Sequence, residues 1–254
     1  EPFHGMRILV QNEEGGFEDV SQGKGYGAAM AAKLNAGSVA VGDVTGDGKP
    51  EIIVAQKNFA RALRLDASGA LQVVDQFNGR EAASVIEGVA VTDLDGDKVN
   101  EVLLVDTYTK SVSVLKKQAS GLYAIVQNVP IGVVQPKDTL VTDFDGDGSP
   151  DLVLFGGNRV VLFLSAAPKL ELKEMVDYET NTPNGVLADV ALGDLNGDGV
   201  PDIVLNETSR NTLEFLTYDA KAKALSARMK FQIFEKKIFT GKPGGRGEAR
   251  VEPR

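Results

Sequence analysis

The sequence predicts an all-β protein assembled from a repeated unit of four antiparallel strands, and three observations predict it. First, a sixteen-residue pattern recurs four times. It reads VAVGDVTGDGKPEIIV at 39–54, VAVTDLDGDKVNEVLL at 89–104, TLVTDFDGDGSPDLVL at 139–154 and VALGDLNGDGVPDIVL at 190–205. The leading aspartates, Asp43, Asp93, Asp143 and Asp194, are 50, 50 and 51 residues apart, and a fixed period of that size marks a repeat architecture. Second, each acidic turn runs into IIVA, VLLV, LVLF or IVLN. Such aliphatic runs read as strands buried on both faces. Third, two more alternating runs follow in each unit around turn residues, which is a hairpin signal.

The units follow in order over 38–87, 88–137, 138–188 and 189–238. In the first, ALRL and LQVVDQF flank Asp66-Ala67-Ser68-Gly69; in the second, SVSVL and LYAIVQNV flank Gln118-Ala119-Ser120-Gly121. In the third, VVLFLS and LELKEMV flank Ala166-Ala167-Pro168; in the fourth, TLEFLTY and ARMKFQIF flank a Lys/Ala-rich link. Four strands in about 50 residues is the size of a propeller blade. The expectation is a single β-propeller domain over 1–254 with four full four-stranded blades and part of another. Residues 5–37 supply the partial blade, in which 6–20 read as two outer strands, and then a connection. Residues 239–254 are a flexible tail or the start of a next blade. The ring is five-bladed if the C-terminal segment completes the N-terminal hairpin. Otherwise the chain is an arc of a larger propeller, within a larger protein, and the tail's stop before another inner strand favours the arc.

Composition narrows the function. With 43% hydrophobic and 25% charged residues, the chain can bury a sizeable core. No apolar run is long enough to span a membrane as a helix. With no cysteine there is no disulfide framework and no thiolate metal site. A net charge of −9 argues against a nucleic-acid partner, which needs basic clusters, and suits a cation binder or merely a soluble protein. His4 is the only histidine and lies near a terminus. No Ser/His/Asp or Cys/His machinery is therefore in prospect, and a non-enzymatic protein is expected.

The acidic loops carry the chemistry. Numbering each from its first aspartate, positions 1, 3, 5 and 9 are Asp43, Thr45, Asp47 and Glu51 in loop 1. In loop 2 they are Asp93, Asp95, Asp97 and Glu101, in loop 3 Asp143, Asp145, Asp147 and Asp151, and in loop 4 Asp194, Asn196, Asp198 and Asp202. Every position offers an oxygen. Position 7 would add a backbone carbonyl, from Lys49, Val99, Ser149 and Val200. Calcium takes six to eight oxygens in a flexible shell, whereas zinc prefers nitrogen and sulfur. An EF-hand begins with the same D-x-D-x-D-G but needs a glutamate at position 12 and flanking helices. Here position 12 is Val54, Leu104, Leu154 and Leu205, each inside a strand run. Asp/Gly turns also close hairpins without metal, because Asp caps its own backbone. Recurrence of the acid at position 9 in four loops points instead to a shared ligand.

The four segments resemble the FG-GAP/VCBS repeats, the calcium-binding blades of integrin-α-like β-propellers. The resemblance covers about 38–238 and rests on D-x-D-G-D-G-x-x-D. It implies loops that join the first two strands of each blade and hold about four calcium ions, one per loop. It also implies extracellular, periplasmic or cell-surface placement, and a role in adhesion or in binding a protein or carbohydrate. Thr45 and Asn196 depart from the pattern by replacing acids, and Lys98 by replacing a glycine. Four calcium ions would bring the net charge from −9 to about −1, so folding linked to calcium is expected, with calcium mainly stabilising the blades. The alternatives are a calcium-dependent polysaccharide lyase or a purely structural module of a surface protein.

Some features stay outside this reading. Lys98 occupies position 6, where the other loops have Gly48, Gly148 and Gly199, and Asn100 stands where they have Pro50, Pro150 and Pro201. If position 6 needs a positive φ, Lys98 is strained there, with its ammonium expected in solvent. Gly23-Lys24-Gly25-Tyr26-Gly27 lacks the spacing of a phosphate loop. Ala28–Leu34 could form a helical turn or two. Asn206-Glu207-Thr208 has the form of a glycosylation sequon.

Overall fold

The computed structural model describes residues 9–19, 36–66, 70–180 and 184–233. Strands β1 (Leu9–Gln11) and β2 (Phe17–Asp19) pair antiparallel, as expected of 6–20, and all six residues are exposed. Residues 6–8 and 20 of that segment lie outside the described residues. So do His4, Gly23–Gly27, Ala28–Leu34 and the tail at 239–254.

The rest is four antiparallel sheets, each a meander of four strands in chain order. Sheet 1 holds β3 (Val39–Gly42), β4 (Glu51–Gln56), β5 (Phe59–Leu65) and β6 (Leu71–Asn78). Sheet 2 holds β7 (Ile86–Thr92), β8 (Glu101–Asp106), β9 (Ser111–Lys117) and β10 (Tyr123–Pro130). Sheet 3 holds β11 (Asp138–Thr142), β12 (Asp151–Gly156), β13 (Arg159–Ala166) and β14 (Lys169–Glu179). Sheet 4 holds β15 (Leu187–Gly193), β16 (Asp202–Glu207), β17 (Thr212–Asp219) and β18 (Ala224–Gln232). The all-β reading and the four strands per unit hold. Asn206 of the sequon lies within β16.

The continuous apolar runs are explained by burial on both faces. In β8, Val102 and Leu104 pack in the core shared with sheet 1, and Leu103 and Val105 in the core shared with sheet 3. In β12, Leu152 and Leu154 turn toward sheet 2, and Val153 and Phe155 toward sheet 4. One strand thus supplies two cores, so a polar residue has no face to occupy. Glycine permits close approach, between sheets 2 and 3 at Gly88 and between β12 and the connection that precedes β11 at Gly156. A Cβ on Gly88 of β7 would stand 2.3 Å from Thr139 Oγ1 of β11, and one on Gly156 would stand 1.7 Å from the Gln135 carbonyl oxygen.

Two buried carboxylates staple the second turns. Asp106 accepts from the Val85 and Tyr108 amides at 2.9 and 3.0 Å. Glu207 accepts from the Val186 and Ser209 amides at 3.2 and 2.7 Å. No helix among the described residues is long and apolar enough to cross a membrane.

Candidate metal centres

Each acidic loop joins the first and second strands of its sheet, and its fold follows from its own side chains. The position-1 aspartate uses both oxygens on the loop backbone. Oδ1 accepts from the position-4 glycine amide: Gly46 at 2.6 Å, Gly96 at 2.8, Gly146 at 2.9 and Gly197 at 2.7. Oδ2 accepts from position 6: Gly48 at 2.7 Å, Lys98 at 2.8, Gly148 at 2.9 and Gly199 at 2.9. Position 5 accepts the amide of position 7 at 2.7–2.9 Å, from Lys49, Val99, Ser149 and Val200. The position-9 carboxylate reaches back to the amide of position 2 at 2.8–3.1 Å in all four loops. Position 2 is apolar and anchors the loop. Val44, Leu94 and Phe144 are buried between their own sheet and the next, whereas Leu195 is 56% exposed.

Position 6 has positive φ in every loop, 81° at Gly48, 69° at Lys98, 88° at Gly148 and 88° at Gly199. Lys98 is therefore held in the left-handed region, with its side chain exposed. Asn100 has a separate use. Its Nδ2 donates to the Asp43 carbonyl at 2.8 Å, and the Tyr123 hydroxyl donates to the Asn100 carbonyl at 2.9 Å. Proline at that position could not make the first bond, so the irregular loop is the one tied to its neighbour.

The backbone folding brings acids together in three of the four loops. Ligand atoms of Asp43, Asp47 and Glu51 lie within 4.8 Å of one another, as do those of Asp93, Asp95 and Glu101, and those of Asp143, Asp145 and Asp151. Among the described residues, loop 4 forms no such group. Its Asn196 Nδ2 instead donates to Asp202 Oδ1 at 3.4 Å. The loops are thus not the four equal copies that the repeat suggests. Glu51, Glu101 and Asp151 have no exposed surface, and Asp202 has 4%.

The sequence reading missed what sits opposite these buried acids. Leu63 pairs with Ile52, so Arg64 faces Glu51. By the same register the facing residues are Lys116, Leu164 and Thr217 in sheets 2, 3 and 4. Lys116 Nζ donates to Asp95 Oδ2 at 2.6 Å, Asp97 Oδ2 at 2.7 Å and Glu101 Oε1 at 3.1 Å. Arg64 donates to Asp47 Oδ2 and Thr45 Oγ1, both at 2.8 Å, and to Glu51 Oε1. Among the described residues, no lysine or arginine pairs with a loop 3 carboxylate. Asp151 there accepts only backbone amides, from Ser165 and Phe144 at 2.8 Å.

Charge states follow these partners. Burial pushes Asp151 up to about 6, against the Ser165 and Phe144 amides, and Asp145 and Asp147 push it the same way. Burial, with Asp147 and Asp143 beside it, also raises Asp145. Burial raises Glu101 although the Leu94 amide and Lys116 oppose it. Lys116 and the Val99 amide hold Asp97 below the usual carboxylate range. In Asp43, burial is outweighed by the amides of Gly46 and Gly48. The Gly199 amide leads the lowering of Asp194.

The donor set fits a hard divalent cation. Every side-chain ligand is an oxygen, and Asp95 Oδ1 is a buried acceptor without a donor. A family model for FG-GAP-like repeats matches residues 43–104 and 143–205. Each match starts at the first aspartate of an acidic loop and ends in the second strand of the next unit. No curated protein sequence matches the chain.

Proposed function

Because the chain belongs to the FG-GAP-like repeat family, we propose that it is a calcium-binding module of β-propeller type. In this reading its four sheets are consecutive blades, and calcium stabilises them from the loops between first and second strands. The observation that carries the reading is the convergence of three carboxylates within 4.8 Å at the same place in three successive repeats. Asp43, Asp47 and Glu51, then Asp93, Asp95 and Glu101, then Asp143, Asp145 and Asp151 are the groups able to hold an ion. In loop 3, bound calcium would supply the positive charge that the buried, mutually repelling carboxylates lack. Strands β8 and β12, with a core on each face, support the blade reading, because sheets 2 and 3 are each covered by the one before and the one after.

The module is non-enzymatic in this proposal and presents its surface to a protein or carbohydrate partner. Placement outside the cytoplasm agrees with calcium used as a structural ion, since extracellular modules bind it at about 0.1–1 mM. The test is thermal unfolding of the chelator-stripped chain with and without about 2 mM calcium. The midpoint should rise with calcium by several degrees, and magnesium should substitute poorly. An unchanged midpoint would refute the calcium reading. Calcium-dependent cleavage of an acidic polysaccharide would refute the non-enzymatic one.

A further inference from the structure

Resting on that calcium reading, we propose that Arg64 and Lys116 are built-in counter-cations that replace calcium in loops 1 and 2. Tight calcium binding is thereby confined to loop 3. The geometry is direct. The Lys116 ammonium touches the carboxylates of positions 3, 5 and 9 at 2.6–3.1 Å, and two of these, Asp95 and Glu101, belong to the three-carboxylate group of loop 2. The Arg64 guanidinium reaches positions 3, 5 and 9 of loop 1 in the same way. Both side chains project from the third strand, at the position facing the buried acid. A divalent ion and a lysine or arginine head group cannot share one seat, because like charges at about 3 Å repel strongly.

Loop 3 differs at one residue in a way that decides occupancy. Its facing residue is Leu164, 5% exposed and without charge. Asp143, Asp145, Asp147 and Asp151 carry a formal −4 that nothing in the described chain neutralises. Loop 2 has the same four carboxylates and a strained Lys98, but its decisive difference is Lys116. Calcium entering loop 2 must first expel an ammonium from three charge-assisted contacts, which should weaken binding there by on the order of a hundredfold. In loop 4, Thr217 faces Asp202, and its hydroxyl accepts from Arg228 Nε at 2.8 Å. Asn196 donates to Asp202, so that loop offers fewer free acceptors than loop 3.

The arrangement gives the repeats a division of labour. Sheets 1 and 2 are set by internal ion pairs and hold together at any calcium concentration. Sheet 3 depends on the ion. Depletion should then loosen the stack first around loop 3, between sheets 3 and 4, where Phe144 is buried.

The test is calcium titration by calorimetry on the full chain, with the residue that faces loop 2 replaced by the type that faces loop 3. The parent should bind one tight ion, and Asp151→Asn should lose it. Lys116→Leu, which gives loop 2 the residue of loop 3, should bind a second ion of similar affinity. It should also be less stable than the parent in chelator and recover with calcium. Arg64→Met tests loop 1 in the same way and keeps the test open if Lys116→Leu fails to fold. Three equivalent ions in the parent, with the count unchanged in Lys116→Leu and Arg64→Met, would overturn the inference and leave the calcium reading intact. No calcium bound by the parent or by either variant would overturn both.

Discussion

The charge on Asp151 should make the metal-free protein more stable at pH 5 than at pH 7, the reverse of ordinary acid destabilisation. The carboxyl is fully buried, and burial raises it from 3.8 to about 6. A group whose folded value lies above its unfolded one binds its proton more tightly in the folded state. Its stabilisation is complete below the unfolded value and is lost as pH rises through the folded value. The whole interval is worth roughly 3 kcal/mol at about 1.4 kcal/mol per pH unit, and about half of it falls between pH 5 and pH 7. For a chain of this size that is about 3–6 °C in melting temperature. The carboxylates held low, such as Asp43, Asp97 and Asp194, lose their stabilisation only below 3.8 and do not contribute in this window. The assay is circular-dichroism melting in excess chelator at pH 5, 6 and 7, for the parent and Asp151→Asn. The variant melts lower throughout, because an amide cannot accept from both Ser165 and Phe144. The readout is therefore the pH slope, which should be shallower in the variant. Calcium needs the ionised carboxylate, so its stabilising effect should shrink from pH 7 to pH 5. Equal slopes in parent and variant would refute the assignment of a buried, proton-binding Asp151.

Three further outcomes follow from the packing. Lys98→Gly should stabilise the fold by about 0.5–1 kcal/mol, the relief at φ 69° being partly offset by the looser unfolded chain; urea denaturation would show it as a higher midpoint with unchanged slope. Gly156→Ala should cost more than about 3 kcal/mol, since its Cβ would meet the Gln135 carbonyl at 1.7 Å; loss of soluble, cooperatively unfolding protein would register it. Phe163→Ala should cost about 3–5 kcal/mol by opening a cavity in the core between sheets 2 and 3, where Phe163 is 1% exposed; the same urea titration would measure it.

Much of the fold was legible because its signals are local and repeated. A period of 50 residues, a double-faced apolar run and an alternating hairpin are each read from neighbours in sequence. The loop backbone was legible for the same reason. Asp43 and its equivalents bond amides three and five residues on, so spacing alone specifies them. Lys98 could be marked as strained before any coordinates, because three glycines at the equivalent position pointed to a positive φ. Asn100 could be marked as odd but not explained, since its partner Asp43 is 57 residues away.

The cations escaped for a geometric reason. Arg64 and Lys116 face the same acid of their loops, yet Arg64 is the twenty-second residue counted from Asp43 and Lys116 the twenty-fourth from Asp93. The difference is the turn between the second and third strands. It has two residues in sheets 1 and 3, between Gln56 and Phe59 and between Gly156 and Arg159. It has four in sheets 2 and 4, between Asp106 and Ser111 and between Glu207 and Thr212. An alignment that fixes the acidic loops therefore puts the facing residues out of register by two. Two residues is one full period of a strand, so the side chains still point the same way and the pairing survives. A hairpin can thus lengthen its turn without moving its third strand off the metal loop. Whether that strand brings a cation, a leucine or a threonine is decided outside the motif that defines the repeat. In the proposed reading, the acidic motif sets where a cation sits, and the facing strand sets whether that cation is calcium or the protein's own.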